Sequence, residues 1–277
     1  MAGTILLGID VETAGPGSAT YARLGPELLA AEGARGTWFV TGRTLELDPD
    51  LFRAADRSGL VDLQAHTYDH ILLKTVLMQV PPGKTVHGST DFFMQRGGAP
   101  EEIDRDLARC QQVFGDLLGR RAVGLCGPWC YYRGLGDRPD LLELVYRHGF
   151  RILRTFGRDA HDCQPVPMEW QPFFYKTQGF PDALEIMVHD YQDDFYFMVI
   201  EGVPDASTYP AHLRLLADRV AREGLVWSLC SHDHNCRTPE GFAEKTAWLR
   251  DIIRYAKSIG IRFATVTEYY AERRTGV

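Results

Sequence analysis

Four apolar runs decide most of what this chain can fold into. Thr4-Ile5-Leu6-Leu7-Gly8-Ile9, Gly36-Thr37-Trp38-Phe39-Val40, Leu60-Val61-Asp62-Leu63 and Leu225-Val226-Trp227-Ser228-Leu229-Cys230 are short, β-rich and almost without polar alternation. That is the pattern of strands covered on both faces. Between the first and second lies a helical pattern with Ser18 as its N-cap, carrying Tyr21, Leu24, Leu28 and Leu29 on one side. Pro26 predicts a kink or split inside it, and Gly33 predicts its stop. A second helix is expected over about Pro49 to Ser58. Strand, helix, strand, helix, strand implies a parallel sheet with covering helices.

The alternation continues after a break. A helix is expected near 101–118, then a strand Ala122-Val123-Gly124-Leu125-Cys126 left through a Gly127-Pro128-Trp129 turn. Asp137 to His148 reads as a helix stopped by Gly149, and Arg151-Ile152-Leu153 as the next strand. The stretch 155–182 has no clear period. Leu184 to Val188 is a strand, 209–223 a helix, and 240–258 a long helix burying Phe242, Leu249, Ile252, Ile253 and Ala256 before a closing strand, Ile261 to Ala264. No internal repeat or linker appears. The expected architecture is therefore α/β, a single-domain distorted (β/α) barrel of seven or eight strands over residues 1–277. Residues 71–100 interrupt it with an irregular insertion containing Phe92, Phe93 and Met94, which reads as a lid or binding loop, or else as an interface arm.

Composition removes several function classes. A net charge of -7 with no Lys/Arg run argues against nucleic acid. No stretch approaches the ~20 apolar residues of a membrane span. Met1-Ala2-Gly3-Thr4 runs into the first strand without a basic, apolar leader, so a cytoplasmic location is expected. Six cysteines without a Cys-x-x-Cys pair read as reduced, structural residues. A homo-oligomer is compatible with the sequence.

Polar chemistry collects at the strand ends, where such folds carry their function. The first strand ends in Asp10-Val11-Glu12, and the third delivers His66-Thr67-Tyr68-Asp69-His70. Pro128-Trp129 and Ser231-His232-Asp233-His234 follow two others. If the chain turns helical after the third strand, His66 and His70 share one side. Together with Glu12 they make a two-histidine, one-carboxylate set that leaves metal positions open. His234 reads as a solvent-facing loop residue. No glycine-rich phosphate loop, no Gly-x-Ser-x-Gly elbow and no His-Glu-x-x-His protease motif is present.

These residues resemble the polysaccharide deacetylases with the NodB-homology domain, carbohydrate esterase family four. The similarity runs from the first strand to Glu268, and it is closest to the peptidoglycan-deacetylase-like and allantoinase-like branch with an Asp-x-Glu first motif. The resemblance implies that Asp10 is the general base and His232 the general acid. It implies that Glu12, His66 and His70 hold a divalent metal, zinc first, with cobalt, nickel or manganese as alternatives. Trp129 and Pro128 would form the oxyanion and acyl pocket. The implied activity is hydrolysis of a non-peptide amide C–N bond in a saccharide or other small molecule, most simply N-deacetylation of an acetylated amino sugar. Cleavage of a cyclic imide or ureide, and non-catalytic binding of a sugar or partner, are the alternatives. The family's third motif has an Arg before its Pro, and here Gly127 and Cys126 stand there. Arg133 or Arg154 is expected to orient Asp10 instead, and Asp159 to tune the acid histidine.

Overall fold

A computed structural model of the chain describes residues 3–197 and 208–275. Its centre is β1 (Thr4–Val11), in which every residue is buried. A strand that presents no polar face must be covered on both sides, which sets it inside a parallel sheet. β1 pairs in parallel with β2 (Gly36–Val40), and β2 with β3 (Val61–Ala65). β3 meets β6 (Gly124–Tyr132), β6 meets β7 (Ile152–Arg158), and β7 meets β9 (Phe180–Glu185), all in parallel. β10 (Val226–His232) lies parallel to β1 on its other side. β8 (Phe173–Tyr175) adds antiparallel to β9, and the short β11 (Arg262–Ala264) pairs with the start of β1. The result is a nine-stranded, mostly parallel sheet.

No β-ladder joins β9 to β10 among the described residues, and two side chains span that gap. Gln171 accepts from Val226 N at 2.8 Å and donates to Val226 O at 3.1 Å. His189 N donates to Ser228 O at 3.2 Å, while its Nδ1 accepts from Ser228 N at 3.1 Å. Burial pushes the His189 pKa down to about 4, so the ring stays neutral and can accept at Nδ1. At Val226 and Ser228 the edge of β10 is thus satisfied by two side chains and the His189 backbone N–H instead of a strand.

The helices differ from expectation in informative ways. α1 (Pro16–Glu32) starts at Pro16 and not after Ser18, and it runs through Pro26 as one helix. Ser18 bonds Asp233 across the loop after β10 in place of capping. α2 (Gly42–Leu47) precedes the expected α3 (Pro49–Arg57), and Thr41 caps it by accepting from Thr44 N. The expected helix 240–258 is two, α8 (Pro239–Lys245) and α9 (Ala247–Ser258), broken at Thr246. α4 (Pro100–Leu118), α5 (Pro139–Arg147), α6 (Asp193–Phe195) and α7 (Tyr209–Glu223) cover the remaining turns of the fold, and α10 (Val266–Thr275) follows β11. The insertion is ordered: β4 (Val76–Gln79) and β5 (Phe92–Gln95) form an antiparallel hairpin. No helix is long and apolar enough to cross a membrane among the described residues.

Candidate active site

The carboxyl ends of β1, β3, β6, β7 and β10 surround a cavity of about 610 Å³. Asp10 is the penultimate residue of β1, and Glu12 follows its end. Asp233 holds that corner by accepting from the backbone N–H of Glu12 and Thr13, both at 3.3 Å.

After β3 the chain does not turn helical, so the condition under which His66 and His70 would share a helix side is not met. Thr67 and His70 take left-handed backbone, φ 59° and 58°. Asp106 of α4 pins the loop by accepting from Tyr68 N at 2.7 Å and Asp69 N at 2.9 Å. Two left-handed residues and one clamp achieve what a helix would have done, and the His66 and His70 rings meet at 5.0 Å between centroids. His66 Nδ1 donates to Cys126 O at 3.0 Å, which turns Nε2 toward the cavity. Glu12 Oε2 lies 2.8 Å from His66 Nε2 and 3.0 Å from His70 Nε2. Burial opposes the Glu12 charge, but the hydrogen bonds of His234, His66 and His70 outweigh it and hold the carboxyl well below its usual range.

These donors fit a divalent ion. One nitrogen from each histidine and one Glu12 oxygen converge within 4.8 Å of one another. Donors of a tetrahedral ion would lie roughly 3.3 Å apart, and Glu12 Oε2 stands 2.8 and 3.0 Å from the two histidine nitrogens, so a small movement of Glu12 would admit one. Because Nδ1 of His66 is tied to the Cys126 carbonyl, Nε2 is left with its lone pair for an ion, as in metal-binding histidines.

Asp10 is buried and its Oδ1 accepts from Arg154 Nη1 at 2.7 Å. Arg154 therefore occupies the role that Gly127 cannot. It reaches there because β6 and β7 pair Cys126 with Arg154. Its guanidinium passes over Gly8, where an added Cβ would lie 3.1 Å from Cζ. Burial opposes the Arg154 charge and Asp10 restores it, well above the usual value. Arg133, the other candidate, lies over the Tyr132 ring instead.

His232 ends β10, with Nε2 3.9 Å from Asp10 Oδ2. Its Nδ1 donates to Asp193 Oδ1 at 2.7 Å. The expected tuning residue, Asp159, is elsewhere: its carboxylate accepts from His161 N and Cys163 N, at 2.8 and 2.9 Å. Asp193 comes from α6, and Ser231 Oγ at 2.8 Å and Lys245 Nζ at 2.9 Å hold it ionised. Burial opposes a charged His232, yet Asp193, with Asp194 and Glu12, raises its pKa to about 9. His234 is not a free loop residue. Its Nε2 lies 3.1 Å from Glu12 Oε1, its Nδ1 bonds Asp194, and its ring stacks on His232. Against burial, Asp194 and Glu12 push it up to about 11.

Pro128 and Trp129 do not form a turn that leaves the strand. β6 continues to Tyr132 through a bulge, since the ladder passes from Cys126–Arg154 to Tyr131–Phe156. Trp129 and Cys130 both have positive φ, 68° and 51°. Backbone held in this sparsely populated region clusters at functional sites. The bulge pushes Trp129 into the cavity wall, where Phe93 of β5 stacks on it at 5.1 Å and 22°. His87, between β4 and β5, lies 5.8 Å from the same ring. The insertion therefore roofs the site.

Comparison with known proteins follows this geometry. The family model described as Polysaccharide deacetylase matches residues 10–150, just over half of the chain. The chain belongs to the polysaccharide deacetylase family. A structure from Pseudomonas aeruginosa PAO1, described as a probable polysaccharide deacetylase, matches at TM-score 0.67 and 16% identity over 97% of this chain and 89% of that one. PuuE allantoinase matches at TM-score 0.65 and 16% identity, again over 97% and 89%. A carbohydrate esterase family four pseudoenzyme from Bacillus anthracis matches at 0.51 and 13%, over 97% and 66%. At these identities the likeness is one of fold. No curated protein matches. Membership in the polysaccharide deacetylase family supports a deacetylase or amide-hydrolase role, in a family that also contains pseudoenzymes.

Proposed function

We propose that the protein is a metal-dependent hydrolase of a non-peptide C–N bond, acting as an N-deacetylase on an acetylated amino sugar or a sugar-containing small molecule. The observation that carries this reading is the pairing of Asp10 with His232, 3.9 Å apart, beside the Glu12–His66–His70 donor set. Each of the two has its own anchor, Arg154 for Asp10 and Asp193 for His232, at 2.7 Å in both cases.

Glu12, His66 and His70 would hold the ion, and when bound it would polarise the amide carbonyl and acidify water. Asp10, with Oδ1 tied to Arg154, presents Oδ2 as the proton acceptor. His232 enters the reaction protonated, because Asp193 sustains its charge, and its Nε2 donates to the leaving nitrogen. Trp129 supplies the wall and a backbone N–H beside the carbonyl oxygen, whereas Pro128, which has no N–H and does not line the cavity, only shapes the bulge before it. A cavity of about 610 Å³ under an aromatic roof suits a small molecule better than a polymer threaded through it.

The same machinery cleaves a cyclic imide or ureide if such a ring fits beneath His87 and Trp129, and the shared fold with PuuE allantoinase supports keeping that substrate class in the test. A non-catalytic role loses its main motive, since Arg154 supplies the cation that Gly127 lacks. The test is elemental analysis together with turnover on a panel of acetylated amino sugars, cyclic imides and ureides, with zinc, cobalt, nickel or manganese added. We expect one metal per chain and amine release from at least one member. A metal-free protein that no added ion activates would overturn the reading.

A further inference from the structure

One buried cation of the cavity takes no part in the chemistry above. Arg158 is at the end of β7, only 2% exposed, and it lines the cavity. Its Nε donates to Trp129 O and its Nη1 to Asp162 O, both at 2.8 Å. Both acceptors are neutral carbonyls. The Asp162 carboxylate faces elsewhere, accepting from Leu77 N at 2.9 Å. No carboxylate among the described residues forms an ion pair with Arg158, although Asp10, Glu12 and Asp194 line the same cavity. Burial accordingly pushes its pKa down, the reverse of Arg154.

A guanidinium has five N–H donors in a planar fork that matches carboxylate or phosphate oxygens. The two carbonyl bonds leave part of that fork unused and fix the rest in place. The Trp129 ring, 5.2 Å from Cζ, completes a rigid seat. The lining of the same cavity also includes the apolar side chains of Met78, Val86 and Phe195. A buried, positioned charge without a counter-ion costs stability, and burying a charge without a partner is rare unless a ligand supplies one.

We propose that the substrate carries an anionic group, a carboxylate or a phosphate, and that Arg158 is its receptor. This rests on the hydrolase reading for the identity of the reacting amide, but the anion seat itself does not. Arg158 binds the charged end of the substrate while the amide lies between Asp10 and His232. The neutral counterpart of such a substrate leaves Arg158 unpaired and is discriminated against.

The test measures binding, so it is independent of turnover. Calorimetry compares three small amides: N-acetylglycine, its neutral amide, and N-acetylaminomethylphosphonate. A hydrogen-bonded buried charge pair corresponds to a preference of roughly 10–100-fold, and the wild type is expected to prefer at least one anion by that factor. Which anion wins separates carboxylate from phosphate chemistry. In Arg158→Gln the preference is expected to vanish while binding of the neutral amide stays within about twofold. This variant also controls for anions that reach the metal site, because its Glu12, His66 and His70 are intact. Arg158→Lys, which keeps the charge, is expected to retain a several-fold preference and serves if the Gln variant does not fold. Equal binding of anionic and neutral amides by the wild type, or a preference that survives Arg158→Gln, overturns the proposal. A preserved preference without hydrolysis of any amide overturns the hydrolase reading and leaves the anion seat standing.

Discussion

Arg154 and Arg158 sit on one strand, four residues apart. Both are buried, yet their surroundings are opposite. Arg154 is paired with Asp10 at 2.7 Å, deep in the fold and outside the cavity lining. Arg158 lines the cavity and, among the described residues, its hydrogen bonds go to the carbonyl oxygens of Trp129 and Asp162, with the Trp129 ring beside it. The first arrangement matches charge with charge inside the fold through Nη1, although Nε and Nη2 of Arg154 are buried without a hydrogen-bond partner, and it holds the carboxylate to which we assign the base. The second is incomplete until something enters. A strand that rises from the core toward the mouth thus passes from charges matched by the fold to a charge kept for a ligand.

Breaking the matched pair is expected to have the largest effect. Arg154→Met leaves Asp10 buried without a partner, so unfolding free energy falls by about 3–5 kcal/mol and turnover falls by roughly 10²-fold or more. Chemical denaturation and kcat measure the two, and the Asp10→Asn/Arg154→Met double variant should recover part of the stability. Full stability in Arg154→Met would mean that the pair contributes less than its burial suggests.

A smaller effect follows from the partner of the acid. Asp193→Asn removes the carboxylate that holds His232 up, so its pKa falls by about 1–3 units from about 9. If His232 is the acid, as proposed, it acts in its protonated form, and the loss of rate on raising the pH sets in at lower pH in the variant. The His232–Asp193 pair also adds stability that is fully present below the unfolded pKa of about 6.5 and is lost as pH rises through about 9. A pH–rate profile of Asp193→Asn with an unmoved basic limb would remove His232 from the acid role.

Two further variants sharpen the unmatched side. Phe93→Ala removes the ring stacked on Trp129, worth about 0.5–1.5 kcal/mol, and KM should rise about 2–12-fold with metal content unchanged. Arg158→Met, in contrast to Arg154→Met, should change stability by no more than about 1 kcal/mol, since it discards two bonds to carbonyls together with an unpaired charge. A loss of 3 kcal/mol or so there would make Arg158 a structural residue.

What the sequence exposed is the part of the site that strands deliver directly. Asp10, Glu12, His66 and His232 follow apolar runs, so the ends of those runs point to them. Trp129 was found beside Pro128, although the bulge that aims it reflects a ladder shift that no local pattern reveals. Arg154 was one of two options because its position depends on β6–β7 register. Asp193, Asp194 and Lys245 escape the sequence for the same reason: the two aspartates meet His232 and His234, and Lys245 meets the aspartates, through tertiary packing of α6 and α8. Arg158 lies at the start of the aperiodic 155–182 stretch, where β7 outlasts its apolar signal. The β4–β5 hairpin is not legible locally, because Val76-Leu77-Met78-Gln79 alternates in burial but not in hydropathy. α1 ran through Pro26 because tertiary packing overrode the local penalty.

The most direct test of the account is Asp10→Asn, assayed for bound metal and for amide hydrolysis on the same sample. The account assigns the proton to Asp10 and the ion to Glu12, His66 and His70. It predicts metal content equal to wild type and turnover lower by roughly 10²–10⁴, with lowered thermal stability because Arg154 loses its partner. Loss of the metal along with the activity would make Asp10 a ligand, and unchanged turnover would remove it from the chemistry; either result contradicts the division of labour between the two carboxylates.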